Sequence, residues 1–179
     1  MRIISGKYRG KTIIAPRNLP VRPTTDFAKE ALFNLINNRF YFEEITVLDL
    51  FAGTGNISYE FASRGVEKIT SVDANGHCVK FIHNTAEALG FDGIDAVKGD
   101  AIKYLDRAYG NWEVIFADPP YDLDIHNDLI DKVLGRNLLS EEGVLIIEHP
   151  NTLKLDEHPN CVDSRKYGNV HFSFFEKEI

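Results

Sequence analysis

From Ile45 onward, short β-prone runs alternate with helix-prone runs, and this alternation constrains the fold more than any other feature. ITVLDL (45–50), KITSVD (68–73), IDAVKGD (94–100, a strand with its turn), WEVIFAD (112–118) and GVLIIEH (143–149) read as strands. NISYEFASRG (56–65), residues 76–89, AIKYLDRA (101–108) and HNDLIDKVLGR (126–136) read as the helices between them. Residues 76–89 place Val79, Ile82, His83, Ala86 and Leu89 on one stripe. Strands alternating with helices predict an α/β fold with a doubly wound parallel sheet. CVDSRKYG and NVHFSFFEKE follow as two strands across a tight turn, which predicts an antiparallel edge hairpin.

Ahead of this core, RIISGKYRGKTIIAP carries two β-prone runs around Tyr8-Arg9-Gly10 and reads as a β-hairpin. In RPTTD, Pro23 forces extended backbone before it. Thr24, Thr25 or Asp26 can cap the next helix, whose apolar face would hold Phe27, Ala31, Leu32, Leu35 and Ile36. No Ser/Gly-rich linker interrupts the 179 residues. The chain therefore reads as one domain: a basic hairpin extension (1–23) on a Rossmann-like core (24–179).

Composition excludes several classes. No apolar run is long enough to span a bilayer, and MRIISGKYRGK lacks the core of a signal peptide. Cys78 and Cys161 have no paired spacing, so the reading is a reducing cytoplasm with no disulfide framework and no cysteine zinc site. The six histidines form no ligand-like cluster, and no metal site is expected. The net charge of −7 is unevenly spread: residues 1–40 hold eight basic side chains against two acids, a net of +6, which leaves −13 for the remainder. That pattern is either a solvated charged hairpin or a basic arm on an acidic body.

Ligands of doubly wound sheets bind beyond the carboxyl ends of the strands, near the switch in strand order. Four successive strand ends carry an acid: Asp49-Leu50-Phe51-Ala52-Gly53-Thr54-Gly55, Asp73-Ala74, Gly99-Asp100-Ala101 and Asp118-Pro119-Pro120-Tyr121. One such Asp is an ordinary turn former; four in a row on the ligand edge point to a site. Gly53-Thr54-Gly55 lets backbone approach a ligand where a helix begins. A dinucleotide site would want a third glycine where Ser58 stands, and a phosphate loop would want Gly-Lys-Ser/Thr. Asp49 would repel a pyrophosphate and suits an ammonium or sulfonium. Asp73 is placed to accept hydrogen bonds from two ribose hydroxyls, and Asp100 to meet an adenine amine. Cationic amino acid, ribose and adenine describe S-adenosylmethionine better than NAD or ATP.

FADPPYD (116–122) fits the second substrate of such a cofactor. An exocyclic amine on a base is a poor nucleophile until it turns pyramidal. An ionised Asp118 only accepts hydrogen bonds. With the Pro119 carbonyl it would hold both N–H bonds and aim the lone pair. Pro119 and Pro120 fix φ and offer no competing N–H. Tyr121 would stack on a base taken out of its helix. Alignment supplies most of the effect, roughly 7–11 kcal/mol, against about 1.5–3 kcal/mol for one charged hydrogen bond.

RIISGKYRGK, RPTTDFAKEALFN, VLDLFAGTGNISYE, SVDAN, GDA, FADPPYD and RKYGNV together resemble the RsmD family over nearly the whole chain. The resemblance implies a class I methyltransferase with a seven-stranded sheet that methylates N2 of a guanine in 16S ribosomal RNA. S-Adenosylmethionine would be the methyl donor and S-adenosylhomocysteine the product. It implies that Asp49, Phe51, Ala52, Gly53, Thr54, Gly55 and Asn56 wrap the methionine part of the cofactor. Asp73 would hold the ribose, Ala74 would lie against the adenine, and Asp100 and Ala101 would meet its edge. Thr24 and Thr25 would close over the cofactor. Asp118, Pro119, Pro120 and Tyr121 would manage the guanine amine, and Lys7, Arg9, Lys11 and Arg22 would meet RNA phosphates. The implied partner is 16S RNA within a small-subunit particle or assembly intermediate; the composition adds a cytoplasmic location without membrane contact, and nothing in the sequence demands more than a monomer. Glu148 is in keeping with the family, whereas His149-Pro150 departs from it.

DPPY serves any exocyclic amine, so an adenine-N6 methyltransferase on RNA or DNA is the nearest alternative. Protein glutamine methyltransferases resemble NPPY where this chain has Asp118. A non-catalytic protein that binds ribosomal RNA through a vestigial cofactor fold is the alternative from another class. Intact Asp73, Asp118 and Tyr121 argue against it.

Overall fold

A computed structural model describes residues 1–19, 21 and 23–178. The chain runs α1 (Asp26–Asn37), β1 (Thr46–Leu50), α2 (Asn56–Ser63), β2 (Lys68–Asp73), α3 (Gly76–Leu89), β3 (Ile94–Lys98), α4 (Ala101–Arg107), β4 (Trp112–Ala117), α5 (His126–Gly135), β5 (Leu139–Pro150), β6 (Cys161–Tyr167) and β7 (Val170–Phe175). The seven strands form one sheet in the order β3-β2-β1-β4-β5-β7-β6. β1 to β5 are parallel, and β7 is antiparallel to both β5 and β6. Strand order reverses between β1 and β4, which opens the crevice where such sheets bind ligands.

The two faces of the sheet carry separate cores. Val47, Ile69, Val114, Phe116, Val144, Ile146 and Phe172 pack under α1 and α2. Leu48, Leu50, Ile115, Ala117, Leu145 and Ile147 pack under α4 and α5. Central parallel strands are buried on both faces, so they read as near-continuous apolar runs. Asp49 and Glu148 break two of these runs.

Helix faces depart from the expected stripes. In α1 the buried residues are Ala28, Lys29, Leu32, Phe33 and Ile36. Phe27 is 67% exposed and meets the Tyr167 ring edge-on at 5.9 Å. In α3, Ile82, Ala86 and Leu89 are buried together with Cys78, while His83 faces solvent opposite Glu87. β5 begins at Leu139, four residues before the expected Gly143. A bulge sets Trp112 against Leu139 and Val114 against Val144, so polar Ser140-Glu141-Glu142 rides in the strand.

The N-terminal hairpin is short: Arg2 bridges Thr12, Met1 pairs with Ile13 and Ile3 with Lys11 on either side, and the loop between is moulded onto α2. Ile4 and Ser5 donate backbone N–H groups to the Glu60 carboxylate at 2.8 and 3.1 Å. Lys7 N–H reaches the Ser63 carbonyl at 2.7 Å, and the Tyr8 hydroxyl the Leu89 carbonyl at 2.6 Å. Gly6, at φ +88, passes so close that a Cβ there would lie 1.9 Å from the Ser63 carbonyl oxygen. Only glycine fits. The chain then climbs back along α3 and crosses the β1–α2 loop at Val21, whose Cγ1 would stand 3.2 Å from a Cβ on Gly53.

Candidate active site

The predicted strand-end residues converge on the carboxyl edge at the switch point. After β1 the chain turns sharply: Phe51, Gly53 and Gly55 have φ values of 56, 58 and 91. A positive φ at phenylalanine is strained and marks a loop held by its surroundings. Asp73 is one of the holders: its Oδ2 accepts the Gly53 N–H at 2.8 Å, and its Oδ1 the Asn75 N–H at 2.9 Å. Each oxygen keeps acceptor capacity for a further donor. Gly55 precedes α2, and a Cβ there would meet the Tyr59 ring at 2.6 Å.

Beneath this loop lies an acidic cluster. Asp49 is 1% exposed and accepts the Ser58 hydroxyl at 2.6 Å, with Ser71 a further 2.6 Å beyond. Ser58, at the position of a third glycine, thus packs α2 against the sheet through a polar contact. Ala117 pairs with Ile147, so Asp118 and Glu148 are the next residues out on adjacent strands. Strand alternation puts Asp49, Asp118 and Glu148 on the α1/α2 face. Glu148 is 3% exposed and accepts the Thr24 hydroxyl at 2.7 Å. None of the three forms an ion pair among the described residues.

Burial governs their proton affinities. Desolvation pushes Asp49 up to about 7, against the Ser58 hydrogen bond and with help from Asp73 and Glu148. Desolvation, then Glu148, then Asp49 raise Asp118 well above the ordinary carboxylate range. Glu148 is pushed up to about 7 by burial, opposed by the Thr24 hydrogen bond. A pocket lined by unpaired carboxyls fits a cationic ligand.

Several predicted residues serve the loops themselves. Asp100 caps α4 through the Lys103 N–H at 3.0 Å, with Ala101 buried behind it. Thr25 caps α1 through the Ala28 N–H, so of the two threonines Thr24 alone turns into the cluster. Asn56 accepts from Lys29 at 2.8 Å and donates to the Thr24 carbonyl at 3.2 Å, facing α1. Ala52 and Gly53 are half-buried, Thr54 is buried and Ala74 exposed. Pro119 is buried, whereas Pro120 is exposed and Tyr121 is 52% exposed at the mouth.

The basic segment is less free than its sequence suggests. Lys29 is buried against Glu60, Arg2 pairs with Asp26 and Arg39 with Glu176. Lys7, Arg9 and Lys11 are exposed, but the tip holding Lys7 and Arg9 packs at the far ends of α2 and α3. The eight residues of α2 put that tip roughly 12 Å from the glycine loop. Arg22 lies outside the described residues. Sequence reasoning misses Ser58, Ser71, Lys29 and Glu60; a lysine at heptad spacing from Ile36 is the available signal for the last pair.

His149 has a separate role. It is buried, 2.7 Å from the Ser173 hydroxyl and 3.0 Å from the Pro150 carbonyl, and stacks on His171 at 4.8 Å. Burial pushes it down to about 4. The unusual His149-Pro150 thus knits β5 to β7.

Sheet order, strained glycine loop and acidic carboxyl edge together define a class I S-adenosylmethionine-dependent methyltransferase. The family described as "Conserved hypothetical protein 95" matches residues 1–176. YlbH of Bacillus subtilis is 33% identical over 184 residues, 99% of each chain. Ribosomal RNA small subunit methyltransferase D of Buchnera aphidicola is 28% identical over 179 residues, covering 98% of this chain and 91% of that protein. The solved structure of hypothetical protein TTHA0928 from Thermus thermophilus superposes with a TM-score of 0.85 at 28% identity, over 98% of this chain and 99% of that one. The chain belongs to the RsmD family of methyltransferases. No helix among the described residues is long and apolar enough to cross a membrane.

Proposed function

We propose that the protein transfers a methyl group from S-adenosylmethionine to the exocyclic N2 of a guanine in 16S ribosomal RNA. The observation that carries this reading is the position of Asp118, one residue beyond β4, between Asp49 and Glu148 and beside a Pro119-Pro120-Tyr121 turn. Its relatives named for ribosomal RNA methylation support the substrate class. The cofactor supplies an electrophilic methyl carbon. Asp49 and the Phe51–Asn56 loop border the cationic part of the site, with Asp73, Ala74, Asp100 and Ala101 towards ribose and adenine. Thr24 closes the edge, and Thr25 fixes the start of α1. Asp118 and the Pro119 carbonyl hold the amine, and Tyr121 stacks on the base. Lys7, Arg9 and Lys11 meet RNA along a flank, away from the reacting base, and Arg22 is a further candidate for a phosphate contact.

The test is transfer of label from S-adenosylmethionine to unmethylated small subunits, stripped 16S RNA and DNA, with nucleoside analysis. Label in N2-methylguanosine supports the reading, and the better RNA substrate places the step in ribosome assembly. Label in N6-methyladenine would keep the role of Asp118 and overturn the substrate. Cofactor binding without transfer would leave the site and remove the target.

A further inference from the structure

Amine methylation accounts for Asp118 but leaves Glu148 unexplained. A buried carboxylate with no cation beside it costs stability, so its presence here calls for a role. Glu148 follows Ile147, whose strand partner Ala117 precedes Asp118, so the two acids leave neighbouring strands on the same face. Adjacent strands lie about 4.8 Å apart. The Thr24 hydroxyl, brought in from the segment before α1, clamps Glu148 at 2.7 Å.

The other groups around the pair do not neutralise it. From β1, Asp49 adds a third acid, with Asp73 of β2 behind it. Lys29 of α1 is engaged by Glu60 and Asn56. β7 sets Phe172 against Glu148. His149 is taken by Ser173 and the Pro150 carbonyl, and His126 at the start of α5 is buried beside Asp124.

We propose that Asp118 and Glu148 form a carboxyl pair that shares one proton, and that Thr24 determines which of the two holds it. Like charges this close cannot both ionise cheaply, and they titrate as a unit. The Thr24 hydroxyl donates to Glu148 and so favours its ionised form, which leaves the proton on Asp118. The elevated proton affinities of both acids agree with this arrangement. Arrival of a cationic ligand favours release of the shared proton and leaves Asp118 able to accept an amine N–H. During transfer the amine nitrogen gains the methyl carbon as the sulfur–carbon bond breaks, and the proton it sheds passes to Asp118. Glu148 keeps Asp118 basic enough to take it, as a general base working near neutral pH requires. Glu148 is thus a positioning residue for Asp118. This use of the pair rests on the proposed methylation; the pair itself does not.

The experiment is an NMR titration of protein carrying 13C-labelled Asp and Glu carboxyls, without substrate. In the wild type, Asp118 and Glu148 titrate together in two steps. In Glu148→Gln, which preserves shape and an acceptor for Thr24, Asp118 titrates in one step with at least tenfold lower proton affinity. In Thr24→Val, Glu148 gains at least threefold in proton affinity, and Thr24→Ser restores it. An Asp118 titration unmoved by Glu148→Gln overturns the pair, as does a Glu148 titration unmoved by Thr24→Val. A second measurement is calorimetry of S-adenosylmethionine binding at pH 7 in buffers of different ionisation heat. Proton release by the wild type and its loss in Glu148→Gln are expected; a wild-type heat independent of buffer overturns the proposal. Failure of the wild type to methylate RNA, with these titrations intact, removes the proposed function and leaves the pair.

Discussion

Lys29 and Glu60 form an ion pair at 3.5 Å with side chains only 1% and 0% exposed. The pair joins α1 to α2, and through Glu60 to the backbone of Ile4 and Ser5 and to Arg64. Desolvation lowers the proton affinity of Lys29, and Glu60 opposes that shift.

Breaking this pair from one side leaves a buried charge, which costs roughly 3–5 kcal/mol. Glu60→Ala is therefore expected to destabilise the fold by about that amount and to loosen the N-terminal loop. Lys29→Met is expected to cost less, because Arg64 still faces Glu60 at 2.8 Å. Urea denaturation ranks the two variants, and limited proteolysis reports on the loop. Equal losses, or a loop that stays protected in Glu60→Ala, would contradict the network.

This pair also shows where the sequence stops being informative. The raw material of the strand order is legible, because two-sided burial demands apolar runs such as VIFA, and acids at their ends stand out. Asp73, Asp118 and the Gly53–Gly55 turn are legible on that ground. Lys29 reads as part of the basic arm because its charge outweighs its heptad spacing from Ile36, the one mark of burial it carries; its partner lies 31 residues away. The α1 stripe misplaces Phe27 because aromatic size reads as burial, whereas Ala28 and Phe33 are what the sheet covers. The start of β5 is hidden because Ser140-Glu141-Glu142 is polar and the bulge that tolerates it is a pairing with β4. The coupling of Thr24 to Glu148 spans 124 residues and has no local signature.

The buried acids reverse the usual response of stability to pH. Asp49 binds its proton more tightly in the folded state, about 7 against an ordinary 3.8. The folded state then holds more protons than the unfolded one between those values, so this contribution is present below about pH 4 and lost as pH rises towards 7. Each tenfold change in proton affinity is worth about 1.4 kcal/mol. His149 works in the opposite sense: held near 4, it costs stability as pH falls below its unfolded value. The acid contribution is isolated by Asp49→Asn, whose amide oxygen still accepts from Ser58. Urea midpoints from pH 5 to 8 are expected to favour the variant progressively as pH rises. A difference independent of pH would mean that Asp49 is ionised throughout.

The position of the basic tip makes a second electrostatic prediction. Lys7 and Arg9 lie on a loop pinned to Ser63 and Leu89, away from the glycine loop. Replacing both with Gln is expected to weaken RNA binding and to reduce the slope of log K against log salt by about two for two lost phosphate contacts. The turnover of bound RNA should hold, because neither side chain reaches the reacting base. A filter-binding series at several salt concentrations, paired with single-turnover rates, checks both halves. An unchanged slope removes the arm from the RNA interface, and a fall in the single-turnover rate would place it at the site instead.

Asp118→Ala separates binding from chemistry. The loop from Phe51 to Gly55 is held by Asp73 and the Val72 carbonyl, neither of which depends on Asp118. Cofactor affinity is therefore expected to stay within a few-fold of the wild type, or to fall modestly through the loss of one acid from the cluster. In the proposed methylation, turnover depends on aligning the amine, an effect that runs to several kcal/mol, and on taking its proton, typically worth about 10²–10⁴-fold. A loss of at least a hundredfold in kcat is expected, with Asp118→Asn intermediate because its carbonyl still accepts one N–H. Calorimetry of cofactor binding and initial rates of methyl transfer measure the two quantities separately. Full activity in Asp118→Ala would falsify its assigned role. A collapse of cofactor binding would mean that Asp118 belongs to the cationic part of the site rather than to the amine.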